Sequence, residues 1–276
     1  IYYTNENNGQ VSSTEYALKL HKCSFKNNKA KLNGGCLFIS TQNGNSNGLI
    51  EIKKCRFTSS TANDSKEGKG AAIYISSNEV KRHFKIIECI FGRCKASLNG
   101  GAIYFNALSG EIKGCSFAND DAENGCEIYH EFQFERSSEG EKLTISKNSF
   151  VRNSRLNAER SAQASLIFAA FSKQSKIEFT DNKIRIDEKH GKVHVFSYPE
   201  GTTPTKDQLK IDDNTISPVV KKQTKNKKAI RSLVDFQSAF IKEGEIIECT
   251  PPNGEYEEIS DAHEGDYSRP LLYACE

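Results

Sequence analysis

CIFGRCKASLNGGAIYF, residues 89–105, reads as a short apolar strand, a polar turn, a Gly-Gly hinge and a second strand. Nearly the same phrase stands at 23–39, CSFKNNKAKLNGGCLFI, and again at 115–129, CSFANDDAENGCEIY. Self-similarity of this kind governs the fold before any single residue does. The repeats align on Cys or Asn, any residue, then a large apolar residue. The instances are Cys23-Ser24-Phe25, Cys55-Arg56-Phe57, Cys89-Ile90-Phe91, Cys115-Ser116-Phe117, Asn148-Ser149-Phe150, Asn182-Lys183-Ile184 and Asn214-Thr215-Ile216, spaced 26 to 34 residues apart.

Each instance follows a short apolar alternation, such as Leu18 and Leu20, Ile50 and Ile52, or Ile177 and Phe179. Each is followed, after a polar stretch of variable length, by a third strand such as GGCLFI, GAAIYI or GGAIYF. Three short strands per repeat, with no helical period between them, predict an all-β solenoid: a parallel β-helix of about seven coils. Leucine-rich repeats share the size but not the pattern, since the spaced leucines and the helical return are missing. The helix is expected over 1–240, opening partway through a coil because IYYTN at 1–5 resembles IYFNA at 103–107. After Phe236 the repeat fades. Residues 241–276, with Pro251, Pro252, Pro270 and two cysteines, are expected as a C-terminal cap over an otherwise exposed edge.

Composition suits that shape. Hydrophobic content is 36% and charged content 27%, a balance that fits an elongated body with much surface per residue. A net charge of +2 gives no argument for a nucleic-acid partner. No apolar run is long enough to span a bilayer, so no transmembrane segment is expected in 1–276. The chain begins at Ile1 and contains no Met, which reads as a processed product or fragment.

The nine cysteines cannot all pair internally, and their positions follow the repeat. One residue per coil at a corner lies over its counterpart in the next. Cys23, Cys55, Cys89 and Cys115 are therefore expected as a structural stack continued by Asn148, Asn182 and Asn214, the asparagines forming an amide ladder and the cysteines acting as small buriable hydrophobes. Neighbouring rungs also permit disulfides by distance. Cys36, Cys94 and Cys126 lie off that stack. Cys249 and Cys275 stand apart in the tail and are the expected disulfide pair. No Cys-x-x-Cys pair or histidine spacing suggests a metal site, and no cofactor is expected.

The repeats resemble the polymorphic outer-membrane protein family, whose hallmarks are Gly-Gly-Ala-Ile and Phe-x-x-Asn motifs. Gly100-Gly101-Ala102-Ile103 matches the first, and Gly34-Gly35-Cys36-Leu37 matches with Cys for Ala. Gly70-Ala71-Ala72-Ile73 and Gly125-Cys126-Glu127-Ile128 keep the first Gly, and Ala164-Ser165-Leu166-Ile167 keeps neither. Phe25-Lys26-Asn27-Asn28 and Phe150-Val151-Arg152-Asn153 match the second motif, while Ser60, Cys94 and Asp120 replace its Asn elsewhere. The resemblance spans roughly residues 15–170 and implies a right-handed β-helix serving as a non-enzymatic, surface-exposed passenger in adhesion. The chain departs from that family in lacking alternating lipid-facing barrel strands at its C-terminus and in its wealth of Cys.

Strand parity supplies a candidate contact surface. With the Ile residues of GAAIYI pointing in, the aromatic between them points out. Tyr2, Phe38, Tyr74, Tyr104, Tyr129 and Phe168 hold that position on successive coils, a stripe suited to stacking on sugars or docking a protein. The opposing expectation is that the rings are core or covered. Parallel β-helices also carry polysaccharide lyases and hydrolases, which need clustered carboxylates. The best acidic runs, Asn119-Asp120-Asp121 with Glu123, and Asp212-Asp213, sit at corners where Asp and Asn form turns anyway, so no catalytic residue is assigned. The basic run KKQTKNKK at 221–228 reads as a solvated loop, and Asn63-Asp64-Ser65 fits a glycosylation acceptor. The sequence is thus read as an extracellular or cell-surface adhesion or filament-building protein with protein or glycan partners and a capacity for self-association. A carbohydrate-active enzyme and an intracellular scaffold are the alternatives.

Overall fold

A computed structural model describes residues 1–5, 16–41, 48–63, 66–77, 83–107, 109–131, 142–152, 165–171, 175–186, 193–199, 204–218, 234–235 and 248–249. The chain is an all-β parallel solenoid, and the described residues contain no helix. Its strands fall into four sheets. Sheet A runs Tyr2–Asn5, Leu37–Thr41, Ile73–Ser77, Ile103–Asn106, Ile128–Glu131, Ser165–Ala170 and Val193–Ser197, all parallel. Sheet B holds seven strands from Tyr16–His21 to Leu209–Asp212, and sheet C begins at Ser24–Lys26 and runs parallel to Thr215–Pro218. Sheet D is a small three-stranded patch starting at Lys29–Ala30.

Residues alternate between core and outside as parity demands. Leu37, Ile39 and Thr41 are buried while Phe38 and Ser40 are half-buried, and Ile73–Ser77 repeats the pattern. Register is in step from rung to rung: Ile52 pairs with Ile86, Ile86 with Ile112, and Ile112 with Ile145. Inside sheet C, Phe25, Phe57, Phe91, Phe117 and Phe150 form a column with centroids 4.8–5.1 Å apart and near-parallel planes. Outside sheet B, Lys19, Glu51, Lys85 and Glu111 lie on successive strands, so opposite charges adjoin along the surface.

The corners explain how such short strands turn. Between sheets B and C every rung passes through one left-handed residue: Lys22, Lys54, Glu88, Gly114, Lys147, Asp181 and Asp213, with φ between 51° and 63°. Left-handed geometry costs a side-chain-bearing residue about 1–2 kcal/mol. The turn is nonetheless integrated into the parallel hydrogen bonding, since its N–H donates to the next rung: Lys22 to the Lys53 carbonyl at 3.0 Å, Glu88 to that of Lys113 at 2.9 Å. A second left-handed corner follows sheet C at Asn27, Ser59, Arg93 and Asn119. A third falls on Gly34, Gly70, Gly100 and Gly125, the first glycine of the hinge motif. There φ is positive, and a Cβ on Gly100 would collide with the Ile103 carbonyl.

At the far end a short antiparallel strand is added to each of sheets A and C. Glu248–Cys249 pairs with Val193 and His194 of sheet A, and Val234–Asp235 pairs with Thr215 and Ile216 of sheet C. Most of the expected cap over 241–276 lies outside the described residues, as do Cys275 and the basic run 221–228. Cys249 is described as strand backbone alone.

Candidate functional site

The corner residue after each left-handed turn carries the Cys/Asn position, and its backbone N–H faces inward. The next rung meets it. The Cys23 N–H donates to Cys55 Sγ at 3.4 Å, and that of Cys89 to Cys115 Sγ at 3.4 Å. The Cys115 N–H then donates to Asn148 Oδ1 at 2.8 Å, Asn148 N–H to Asn182 Oδ1 at 2.9 Å, and Asn182 N–H to Asn214 Oδ1 at 2.9 Å. Donors follow the same rule. Cys89 and Cys115 thiols point at the carbonyls of Ile52 and Ile86 at 3.4 Å, while Asn148 and Asn182 amides donate to Ile112 at 3.0 Å and Ile145 at 2.9 Å. Cys at this corner therefore does more than fill space: it serves as acceptor and weak donor where Asn serves elsewhere. Burial pushes the Cys89 thiol well above its usual value, as does the hydrogen bond its protonated form makes with the Cys115 sulfur, which makes these cysteines poor nucleophiles. Cys36, Cys94 and Cys126 are also buried, and like Cys23, Cys55, Cys89 and Cys115 they are free thiols.

The outward aromatic column lies on sheet A. Ring centroids are 4.8 Å apart for Tyr2–Phe38, 5.0 Å for Phe38–Tyr74, 4.9 Å for Tyr74–Tyr104, 5.4 Å for Tyr104–Tyr129 and 5.0 Å for Tyr129–Phe168, with planes within 8° of parallel. It stops there, because Phe168 pairs with Ser197 on the next rung. Phe38, Tyr74, Tyr129 and Phe168 are half-buried, Tyr2 is 72% exposed and Tyr104 only 2%. Tyr104 donates its hydroxyl to Glu131 and has the Lys69 ammonium 5.1 Å from its ring. Burial, reinforced by the Glu131 carboxylate, pushes the Tyr129 phenol up to about 12 and keeps Tyr104 protonated as well.

That geometry narrows what the column can bind. Rings stacked this closely occupy one another's faces and present edges and hydroxyls outward. Sugar stacking needs an open face, which the internal rings do not have; only the two end rings do. A row of edges and phenols suits a protein surface better.

The acidic run divides. Asp121 points outward, 3.5 Å from Lys95 Nζ, whereas Asp120 is fully buried and accepts the Cys94 N–H at 2.6 Å. Its neighbours inside the solenoid are Glu127 and Arg152. Glu127 occupies the Ala position of the hinge motif, stacked on Ala102, which is stacked in turn on Ala72. Arg152 stands where Asn27, Ser59, Arg93 and Asn119 take the left-handed turn; here the strand instead extends through Ser149–Arg152 and the side chain enters the core. Arg152 Nη2 lies 3.6 Å from Glu127 Oε1, both side chains 2% exposed or less. Burial pushes Asp120 up to about 6 and Glu127 well above the usual carboxylate range, the latter raised further by the Asp120 charge, while Arg152 draws both down. One arginine thus faces two buried carboxylates, and burial favours the protonated form of Glu127. Asp120 and Asp121 do not share a surface. Glu123 is exposed beyond them, and Asp212 and Asp213 form the last described corner.

Among the described residues no group of His, Cys, Asp and Glu is placed to hold a metal ion, and no helix is long and apolar enough to cross a membrane. Asn63 is exposed at the end of its sheet D strand. Comparison with known proteins gave no match to a family model, to a curated protein or to a solved structure.

Proposed function

We propose that this chain is a non-enzymatic β-helix of the polymorphic outer-membrane repeat type, right-handed, exposed at a cell surface or secreted, and acting in adhesion. The observation that carries the reading is the outward aromatic column, held in register over six strands of sheet A. A row of aromatic edges on a rigid rod is an exposed patch of the kind that docks partners. The partner this geometry favours is a protein surface, met by Phe38, Tyr74, Tyr129 and Phe168 with Tyr104 as their buttress. The corner bonding of Cys23, Cys55, Cys89, Cys115, Asn148, Asn182 and Asn214 acts as a mixed cysteine–asparagine ladder that stiffens the rod. Self-association into a longer filament is a second use of the same rigid body.

The intracellular scaffold reading keeps one observation in its favour, the seven free thiols. The experiment is surface labelling of intact source cells with a membrane-impermeant amine reagent, followed by alkylation and intact-mass measurement of the isolated protein. Labelled protein with a Cys249–Cys275 bridge, or a glycan at Asn63, supports the surface reading. Unlabelled protein with nine alkylatable thiols overturns it. The polysaccharide-enzyme reading predicts release of unsaturated or reducing ends from uronic-acid polymers; such activity, lost in Asp121→Asn, would displace the adhesion reading.

A further inference from the structure

Tyr74, Tyr104 and Tyr129 follow one another in the outward column, between Phe38 on one side and Phe168 on the other. Tyr74 and Tyr104 are register partners on parallel strands, with ring centroids 4.9 Å apart and planes 5° from parallel. Tyr104 and Tyr129 stand slightly further apart, at 5.4 Å. Side chains that leave parallel strands in the same direction hold each ring carbon over its counterpart on the next rung. The carbons ortho to the Tyr74 and Tyr104 hydroxyls therefore face one another. Phe38 and Phe168 have no O–H to give up, so the run of phenols ends at both sides.

The middle phenol differs from its neighbours. Tyr104 is 2% exposed, whereas Tyr74 and Tyr129 are half-buried. Its hydroxyl donates to the Glu131 carboxylate, and the Lys69 ammonium lies 5.1 Å from its ring centroid. A phenol that loses an electron becomes a far stronger acid, and a cation beside the ring opposes positive charge on it. Electron loss from Tyr104 is therefore coupled to transfer of its proton to Glu131, which is already its hydrogen-bond partner. Burial raises the Tyr74 and Tyr104 phenols above their usual value, so both start protonated and a base at hand matters.

We infer that Tyr74 and Tyr104 form an oxidative cross-linking site, joined ortho carbon to ortho carbon by a peroxidase-type one-electron oxidant that acts twice with hydrogen peroxide as the electron acceptor. Each phenol gives up one electron and its hydroxyl proton, that of Tyr104 passing to Glu131. The two phenoxyl radicals couple through their ortho carbons. The hydrogen on each coupled carbon then moves to the oxygen of its own ring, which restores two phenols. Hydrogen peroxide takes up the two electrons and two protons and leaves as two waters. Half-buried Tyr74 meets the oxidant, and Tyr104 is oxidised through the ring stacked on it. The product is a covalent tie between two rungs that hydrogen bonds alone otherwise hold. It needs neither a partner nor a cell surface, so it stands or falls independently of the proposed adhesion.

The test treats the full chain, its accessible thiols first alkylated, with a haem peroxidase and limiting hydrogen peroxide. Dityrosine fluorescence, intact mass and peptide mapping are read on the monomer. The expected product is a monomer lighter by two hydrogens, with a cross-linked peptide pair joining Tyr74 to Tyr104. Tyr104→Phe, checked as folded by circular dichroism, loses that pair. Glu131→Gln keeps a hydrogen-bond acceptor but takes up no proton, and forms the link at least about tenfold more slowly. A folded monomer that gains no cross-link overturns the inference, as do links only between molecules or only among other tyrosines. So does a Tyr74–Tyr104 link formed equally well by the urea-unfolded chain, or a rate in Glu131→Gln equal to the parent's.

Discussion

Asn148 makes for Cys115 the bond that Cys115 makes for Cys89. The Cys115 N–H donates to Asn148 Oδ1 at 2.8 Å as the Cys89 N–H donates to Cys115 Sγ at 3.4 Å, and each side chain turns its own donor to the carbonyl three residues before the previous corner. A thiol and an amide are interchangeable here because the corner requires one acceptor and one donor in a narrow column. Removing either is expensive, since a buried backbone group left unsatisfied costs about 1–3 kcal/mol. Asn148→Ala strands both the Cys115 N–H and the Ile112 carbonyl, and is expected to lower unfolding free energy by about 2–5 kcal/mol. Asn148→Cys keeps both bonds in weaker form and loses clearly less. Urea denaturation of the two variants checks the order; equal losses would mean the column acts by packing volume alone.

The buried cluster makes a second prediction. Arg152→Met leaves Asp120 charged and uncompensated inside the solenoid, a situation that costs about 3–5 kcal/mol. Glu127→Ala restores the residue found at Ala72 and Ala102 and leaves the Arg152 charge to act on Asp120. It is expected to cost less than Arg152→Met by thermal or urea unfolding.

These groups also fix the sign of the pH dependence. Asp120 and Glu127 have folded values above their ordinary 3.8 and 4.5, so the fold holds their protons more tightly than the unfolded chain does. Their contribution is fully present below about pH 4 and is lost as pH rises through the folded values. His130 acts the other way. It is fully buried with Nδ1 2.7 Å from the Phe105 carbonyl oxygen, and burial lowers it from 6.5 to about 4, so stability is lost as pH falls between those values. The two effects overlap and oppose one another between pH 4 and 6. Melting temperature should change little there in the native sequence, rise with acidification in His130→Gln, and fall with acidification in Asp120→Asn/Glu127→Gln.

Glycines at the corners differ in what they do. A Cβ on Gly101 would collide with the Cys126 carbonyl oxygen and with the backbone N and O of Asp121, so Gly101→Ala displaces backbone and destabilises strongly. Gly114 has φ 63° but open space, since a Cβ there would meet nothing nearer than the Glu88 side chain at 3.6 Å. The equivalent corners already hold Lys, Glu and Asp. Gly114→Asn is expected to lie within about 1 kcal/mol of the parent, since Asn is among the residues most tolerant of this geometry.

The repeat, the parallel strands and the Cys/Asn corner could be read from spacing and alternation alone, because a solenoid writes the same constraint once per rung. Three features could not. Lys22, Lys54 and Glu88 look like ordinary surface residues, and nothing in a charged side chain announces a left-handed backbone. Asp120 stands in a polar run that reads as a turn; only its place in the Phe-x-x-Asn motif hinted that it faces inward. Glu127 did carry a usable signal, a carboxylate at a position held elsewhere by Ala or Cys, and Arg152 is its compensation across the core. The aromatic column followed from parity, but parity says nothing of spacing. The rings close on one another at about 5 Å, so they offer edges rather than faces.

The most direct test of the proposed adhesion is binding of purified protein to cells that lack it, compared with Phe38→Ser/Tyr74→Ser/Phe168→Ser. Those rings are half-buried on the outside of sheet A, so circular dichroism should confirm that the variant keeps its fold. The account predicts saturable binding by the parent, reduced at least about tenfold in the variant. Undiminished binding by a folded variant, or none by the parent on any cell type tested, would contradict it.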